Sequence, residues 1–362
     1  MIVRGTSKMQ KLLVGLLLCI VIVSGYSPFG SKRFGSNIKT VYEAPVYNVG
    51  SNLIGTTKSS GVSNATLTGG IGTNVFDTIF QWNVMDYSYP TQKARQQAIQ
   101  SGAFIPENAA PLGIATSGNR VFVTTPRWNL GVPSSLNYVQ LPSFTQSPPM
   151  IPYPNWEAHT DTTNPDCTKL LSVYRMAVDD CNRLWVIDTG IVNALTNLQQ
   201  LCPPKIVAFD LATNQQVLSY EFPADQVKED SLHTNIVIDI RNGECGRAVV
   251  YVMDVWRNGL VVFDMYLGTS WRTTNHLYNP DPFASDFSYQ SVNFQWQDGI
   301  FGGSLSPMNG KPSGDRILYY HPMASFNVSL FFMTKYYQIS LHFVRIKIVT
   351  VFFLIYFDRN FQ

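Results

Sequence analysis

The cysteines are the first residues whose number and spacing constrain chemistry. Cys19 lies in an apolar N-terminal run, and Cys167, Cys181, Cys202 and Cys245 follow far downstream. No pair has CxxC spacing, which argues against a structural zinc site or a thioredoxin-like redox centre. An even set of four in an oxidising compartment reads as two disulfides, and spacing alone leaves three connectivities open. The histidines His159, His233, His276, His321 and His342 show neither HxH nor HExxH spacing, so no metal site and no cofactor is expected. Gly302-Gly303-Ser304-Leu305-Ser306 approaches a nucleophile elbow but ends in Ser306 where glycine is required. No catalytic residue can be assigned on motif grounds. Asp188 and Asp254 each follow an aromatic by three residues, and Asp210 and Asp264 each close a Phe-Asp pair. Short carboxylates at such places read as turn formers that bond nearby backbone amides.

The elements that would position these groups follow from composition and pattern. The chain has 362 residues, 14% charged and 13% aromatic, with a formal net charge of +2. Neither the charge nor the apolar poverty of a disordered chain is present. No basic stretch resembles a nucleic-acid footprint, so nucleic acid is set aside as a partner. The 25 Gly and 21 Pro beside many aromatics favour strands and turns over helices. Lys8 and Lys11 precede the apolar run 12–23, which is followed by Ser24 and Gly25. This reads as a signal peptide over 1–25, and hence secretion to the extracellular space. The run is too short for a membrane span. Residues 26–75 read as a flexible leader rich in Ser, Thr, Gly and Asn, with a glycosylation sequon at Asn64.

Beyond residue 76, short apolar runs alternate with turn signals. Arg120-Val121-Phe122-Val123 resembles Arg183-Leu184-Trp185-Val186 and Val249-Val250-Tyr251-Val252, and less closely Arg316-Ile317-Leu318-Tyr319. The aromatics Phe122, Trp185, Tyr251 and Tyr319 are 63, 66 and 68 residues apart. An apolar strand precedes each, and Lys205-Ile206-Val207-Ala208-Phe209-Asp210 matches Gly259-Leu260-Val261-Val262-Phe263-Asp264 as a strand that follows. A unit of three or four antiparallel strands repeated about four times is the signature of an all-β propeller.

These residues also carry a likeness. Phe80-Gln81-Trp82, Ile105-Pro106-Glu107-Asn108, Arg120 to Trp128, Pro152-Tyr153-Pro154-Asn155-Trp156, Leu184 to Gly190, Cys202-Pro203-Pro204 and Gln295 to Gly302 resemble, in order, the insect yellow and major royal jelly protein family. The resemblance implies a secreted, glycosylated, six-bladed β-propeller with a ligand tunnel, of which about four blades are present over 76–326. It implies a place in cuticle pigmentation and melanin formation. It also implies disulfides between Cys181 and Cys202 and between Cys167 and Cys245. In the repeat register, Tyr174, Arg175 and Phe301 fall on the strands nearest the axis and are the candidate ligand-binding residues. The first functional reading is binding of a small aromatic amine or catechol-derived ligand in the central channel. A dopachrome tautomerase and a structural or storage glycoprotein of the royal jelly type are the alternatives.

Past Phe326 the likeness stops. Residues 327–362 contain neither Gly nor Pro, and Val328-Ser329 can be encoded by the consensus start of an intron. This tail reads as a non-family segment from intron read-through. Its uncharged apolar run of about ten residues is short of a membrane span.

Overall fold

A computed structural model describes residues 79–289, 292–308, 316–333 and 344–347. The segment 1–25 expected to be a signal peptide, the segment 26–75 expected to be a leader with its sequon at Asn64, and much of the tail lie outside the described residues. A helix, α1, spans Gln92–Gln100, where the Thr91 hydroxyl caps the first turn by accepting from the Ala94 amide at 3.1 Å.

The rest is strands. The first sheet is β1 (Ile114–Ser117), β2 (Arg120–Thr124), β3 (Leu136–Gln140) and β4 (Ile151–Pro152), in that order. The second is built from β5 (Val173–Val178) and β6 (Arg183–Asp188); a small hairpin, β7 (Ile191–Val192) and β8 (Gln199–Gln200), intervenes before β9 (Lys205–Asp210) and β10 (Gln216–Glu221) complete it. The third runs β11 (His233–Asp239), β12 (Val249–Asp254), β13 (Gly259–Asp264), β14 (Thr269–Thr274). A two-stranded ribbon, β15 (Asp286–Tyr289) and β16 (Val292–Gln295), leads to the fourth sheet: β17 (Ile300–Leu305), β18 (Arg316–Pro322), β19 (Asn327–Met333), β20 (Val344–Lys347). All pairings within the four sheets are antiparallel, and the fold is all-β and propeller-like. The four repeat aromatics fall on the second strands β2, β6, β12 and β18.

The continuous apolar runs have a simple cause. Side chains of a strand alternate between faces, and here both faces are covered. In β6, Leu184 and Val186 pack toward Phe122 and Leu136 of the first sheet, while Trp185 and Ile187 pack toward Val250 and Val252 of the third. In β12, Tyr251 and Met253 turn the other way, onto Ile300, Leu318 and Tyr320 of the fourth. Each fully buried side chain of this kind contributes about 1.5–3 kcal/mol. The sheets therefore stack face to face, and their first strands β1, β5, β11 and β17 pack against one another in chain order.

Carboxylates at the sheet ends lock this arrangement. Asp210 and Asp264 act within their turns, accepting from the amides of Ala212 and Thr213 and of Tyr266 and Leu267. Asp188 and Asp254 also bond within their turns, accepting from the Gly190 amide at 3.1 Å and the Arg257 amide at 3.2 Å, but they reach further as well. Asp188 accepts from the Leu171 and Ser172 amides at 2.7 and 2.8 Å, and Asp254 accepts from the Leu232 amide at 3.0 Å. Each thus clamps the end of its second strand to the segment entering the first.

Two disulfides form, but the pairing implied by the resemblance is corrected. Cys167 pairs with Cys202 and Cys181 with Cys245, with Cα–Cα distances of 5.4 and 5.8 Å. Cys181 lies in the turn that starts β6, whereas Cys202 lies beyond the end of that strand. Six extended residues span about 20 Å, far beyond the Cα separation a disulfide tolerates. Cys167 precedes β5 at the same sheet end as Cys202. Cys245 lies between β11 and β12, at the end where the β5–β6 turn sits. The bonds join neighbours at each end of the sheets.

Residues 327–333 occupy the third-strand place of the fourth sheet, where β19 pairs with β18 from Ser329↔Tyr320 to Met333↔Arg316.

Candidate functional site

A narrow recess opens where the first strands converge. Each sheet supplies part of its wall. Leu112 comes from the approach to β1 and Trp128 from the loop after β2. Tyr174 comes from β5, Leu232 and Thr234 from the start of β11, and Phe301 from β17. The β12–β13 turn adds Trp256, the tip of the β7–β8 hairpin adds Ala194 and Leu195, and the loop before β17 adds Trp296 and Asp298.

The supports of these residues are explicit. Leu232 is held by the Asp254 clamp and by a hydrogen bond from the Val255 amide to its carbonyl at 3.0 Å. The hairpin is pinned beside Cys202 by the Cys167 bond, and Gly190 at its base adopts φ +68° where any Cβ would collide with the Cys202 carbonyl. Asp298 is fixed through its backbone: the Ala324 amide donates to its carbonyl at 3.2 Å, and the Gly299 amide donates to Val255 at 2.9 Å. A Cβ at Gly299 would strike the Asn258 side chain and the Tyr278 carbonyl, so glycine is needed for this close approach.

The polar groups of the recess are few and exposed to its interior chemistry. Asp298 is 7% exposed, and its Oδ1 accepts from Trp256 Nε1 at 3.1 Å. Burial pushes its carboxyl up to about 6, against the indoles of Trp296 and Trp256, which favour the charged form. The Trp296 N–H is close enough to act on that charge but makes no hydrogen bond of proper geometry. The Tyr174 hydroxyl is buried and makes no hydrogen bond of proper geometry, but the Trp128 indole, edge-on with ring centroids 6.2 Å apart, is close enough to act on it. Burial raises the Tyr174 pKa far above the usual phenol range. The Thr234 hydroxyl is buried and unpartnered.

Of the three residues expected to face a ligand, Tyr174 and Phe301 line the recess. Arg175 packs one layer behind, its guanidinium carbon 4.9 Å from the Phe301 ring centroid, where burial lowers its pKa to about 10. Trp128, Trp256, Trp296, Thr234 and Asp298 were not selected by the sequence reading. Asp298 carried one usable signal: it sits beside glycine in an aromatic-rich stretch that the likeness already covers. Ser304, by contrast, lies within β17 and forms no elbow.

A raised carboxyl has a stability consequence. Asp298 binds its proton more tightly folded than unfolded, so the stability it contributes is full below about pH 4 and is lost as pH rises to about 6. Asp298→Asn, which cannot ionise, is expected to be more stable than the parent at pH 7 by roughly 2–3 kcal/mol. It should show no such advantage at pH 4. Urea melts of both proteins at the two pH values check this; an equal difference at both would contradict it.

Residues 171–335 match the family model described as major royal jelly protein. That match runs past Phe326, where the sequence reading ended the likeness. The dopaminechrome tautomerase of Drosophila melanogaster is 52% identical over 250 residues, covering 69% of this chain and 53% of that protein. Protein yellow of the same species is 40% identical over 250 residues, covering 68% of this chain and 45% of that protein. The chain thus spans about half the length of the curated relatives it matches. Among solved structures, the hydrazine synthase of Kuenenia stuttgartiensis gives a TM-score of 0.33 at 15% identity, covering 62% of this chain and 46% of that one. A likeness of that degree bears on nothing further.

Proposed function

The chain belongs to the yellow and major royal jelly protein family, and from that membership we propose that it binds a flat, catechol-derived aminochrome in the recess and tautomerises it. The observation that carries this is an aromatic-walled recess holding one buried carboxylate whose proton is exchangeable near neutrality. Trp128, Trp256, Trp296, Tyr174 and Phe301 offer faces and edges to a planar ring, each ring pair contributing about 0.5–1.5 kcal/mol beyond area burial. A tautomerisation moves protons from carbon to oxygen without change of oxidation level, so it needs an acid–base group and no oxidant. The carboxylate moves the balance from plain carriage of an aromatic amine toward the enzyme, in keeping with the name of the 52% identical relative.

Secretion and a role in pigment formation are part of the same proposal. Two disulfides and the basic–apolar start of the chain support export. Among the described residues no helix is long and apolar enough to cross a membrane.

The test follows dopaminechrome by its visible absorbance with and without the full chain. Decay faster than the uncatalysed rate is expected. Calorimetry with dopamine and serotonin reads binding separately. No acceleration together with no heat at millimolar ligand would leave the structural or storage reading standing instead.

A further inference from the structure

The buried carboxylates of this protein divide into two kinds. Asp179 pairs with Arg183 at 2.7 Å, Asp239 with Arg316 and Arg241 at 2.9 Å each, and Asp254 with Arg272 at 2.8 Å. Asp188 accepts from three backbone amides, and Asp264 from two through a single oxygen. Such carboxylates are committed to the fold. Among the described residues, Asp298 alone of the buried carboxylates lines the recess, with a single hydrogen bond of proper geometry, from the neutral Trp256 indole, and no cation lines the recess with it. Tyr174 reaches the same recess from the second sheet, its hydroxyl buried beside the Trp128 indole and without an acceptor of proper geometry for its proton.

We infer that Asp298 is the general base that removes a ring-carbon proton in this recess, and that the Tyr174 hydroxyl donates the hydrogen bond that holds the developing oxyanion. The inference rests on the proposed tautomerase reading and assigns its chemistry to residues. In an aminochrome, saturated ring carbons adjoin a quinone. The Asp298 carboxylate takes a proton from such a carbon; the C–H electron pair becomes a ring double bond, and a carbonyl π pair moves onto oxygen. Tyr174 stabilises that oxygen, which then takes a proton from solvent, while Asp298 returns its own proton to solvent. One proton leaves carbon and one reaches oxygen, with no net electron transfer. A hydroxyl locked in its neutral form by burial suits a donor that must not itself ionise. The aromatic walls hold the ring and leave the carboxylate undecided between its two protonation states, which a base operating near neutrality requires.

The groups that face Asp298 are Trp256 from the β12–β13 turn, Trp296 from its own loop and Tyr174 from β5. Tyr174 is the other titratable one, and Arg175 lies behind Phe301. The kcat/KM for dopaminechrome should therefore rise as pH increases through about 6 and then level.

The experiment measures kcat, KM and the pH profile for the full chain and three variants. Asp298→Asn is expected to lower kcat by about 100-fold or more, with KM little changed and the inflection gone. Tyr174→Phe should lower kcat by about 100-fold yet keep the inflection. Trp256→Phe removes the indole N–H hydrogen-bonded to the carboxylate and should move the inflection upward by about half a unit to one unit. It tests the carboxylate's titration without replacing the carboxylate. Asp298→Asn at the parent rate, or an inflection that Trp256→Phe leaves in place, overturns the assignment while the tautomerase reading stands. A parent protein with no turnover overturns both.

Discussion

Replacing Cys181 and Cys245 together by serine is expected to lower stability by about 4 kcal/mol, on the chain-entropy model for the 64-residue loop that this bond closes. Replacing Cys167 and Cys202, which close 35 residues, should cost slightly less, again about 4 kcal/mol. The two losses separate in function. Cys167–Cys202 anchors the β7–β8 hairpin, whose tip carries Ala194 and Leu195 into the recess. Its removal should weaken ligand binding as well as stability. Cys181–Cys245 joins the β5–β6 turn to the β11–β12 connection, at the sheet end away from that hairpin, and its loss should act on stability alone. Denaturant melts of the two double variants, with calorimetry, measure both effects. Mapping of non-reduced peptides gives the independent check: a Cys181–Cys202 peptide in the oxidised protein would refute the connectivity.

Arg272→Met is expected to destabilise by about 3–5 kcal/mol, because it leaves a buried carboxylate without its cation. Arg272 and Asp254 are 2.8 Å apart, with side chains 6% and 0% exposed. Ser231 Oγ also donates to Asp254 at 2.6 Å, so the cluster holds the segment that carries Leu232 and Thr234 into the recess. Burial alone would raise the Asp254 carboxyl; His233 and Arg272, with the hydrogen bonds from Ser231 and Arg272, outweigh it, and the pKa lies below the ordinary value. A depressed carboxyl lends stability that is present above the unfolded pKa and is lost as pH falls through the folded one. The gap between parent and Arg272→Met should therefore be widest near neutrality and narrow below about pH 4. The double variant Arg272→Met with Asp254→Asn should recover part of the loss, since no charge is then stranded. Urea midpoints across pH decide the matter; a gap that persists unchanged at pH 3 would mean the pair does not carry the effect.

Much of the strand pattern could be read directly. Phe122, Trp185, Tyr251 and Tyr319 mark second strands because an aromatic flanked by apolar residues on both sides suits a sheet covered on both faces. Asp210 and Asp264 were legible as turn formers because their partners are two and three residues away. The same local bonds form at Asp188 and Asp254, to Gly190 and Arg257, but their clamping role was not legible, because the amides they clamp lie 16 and 17 residues away for the one and 22 for the other. Tyr174 and Phe301 could be placed near the axis from register alone. Trp128, Trp256 and Trp296 could not, since each sits in a connection whose course no periodicity describes.

The sequence by itself determined the all-β repeat, the family likeness and the presence of four paired cysteines, all of which follow from local alternation and residue type. Only the tertiary structure decided which cysteines meet, because that depends on which end of a strand each one occupies. It alone also separated Asp298 from the other carboxylates. Asp179, Asp239, Asp254 and Asp298 are the same residue type in similar apolar surroundings, and their chemistry differs only in what the packed sheets bring within reach: an arginine for the first three, an indole and an open aromatic recess for the last.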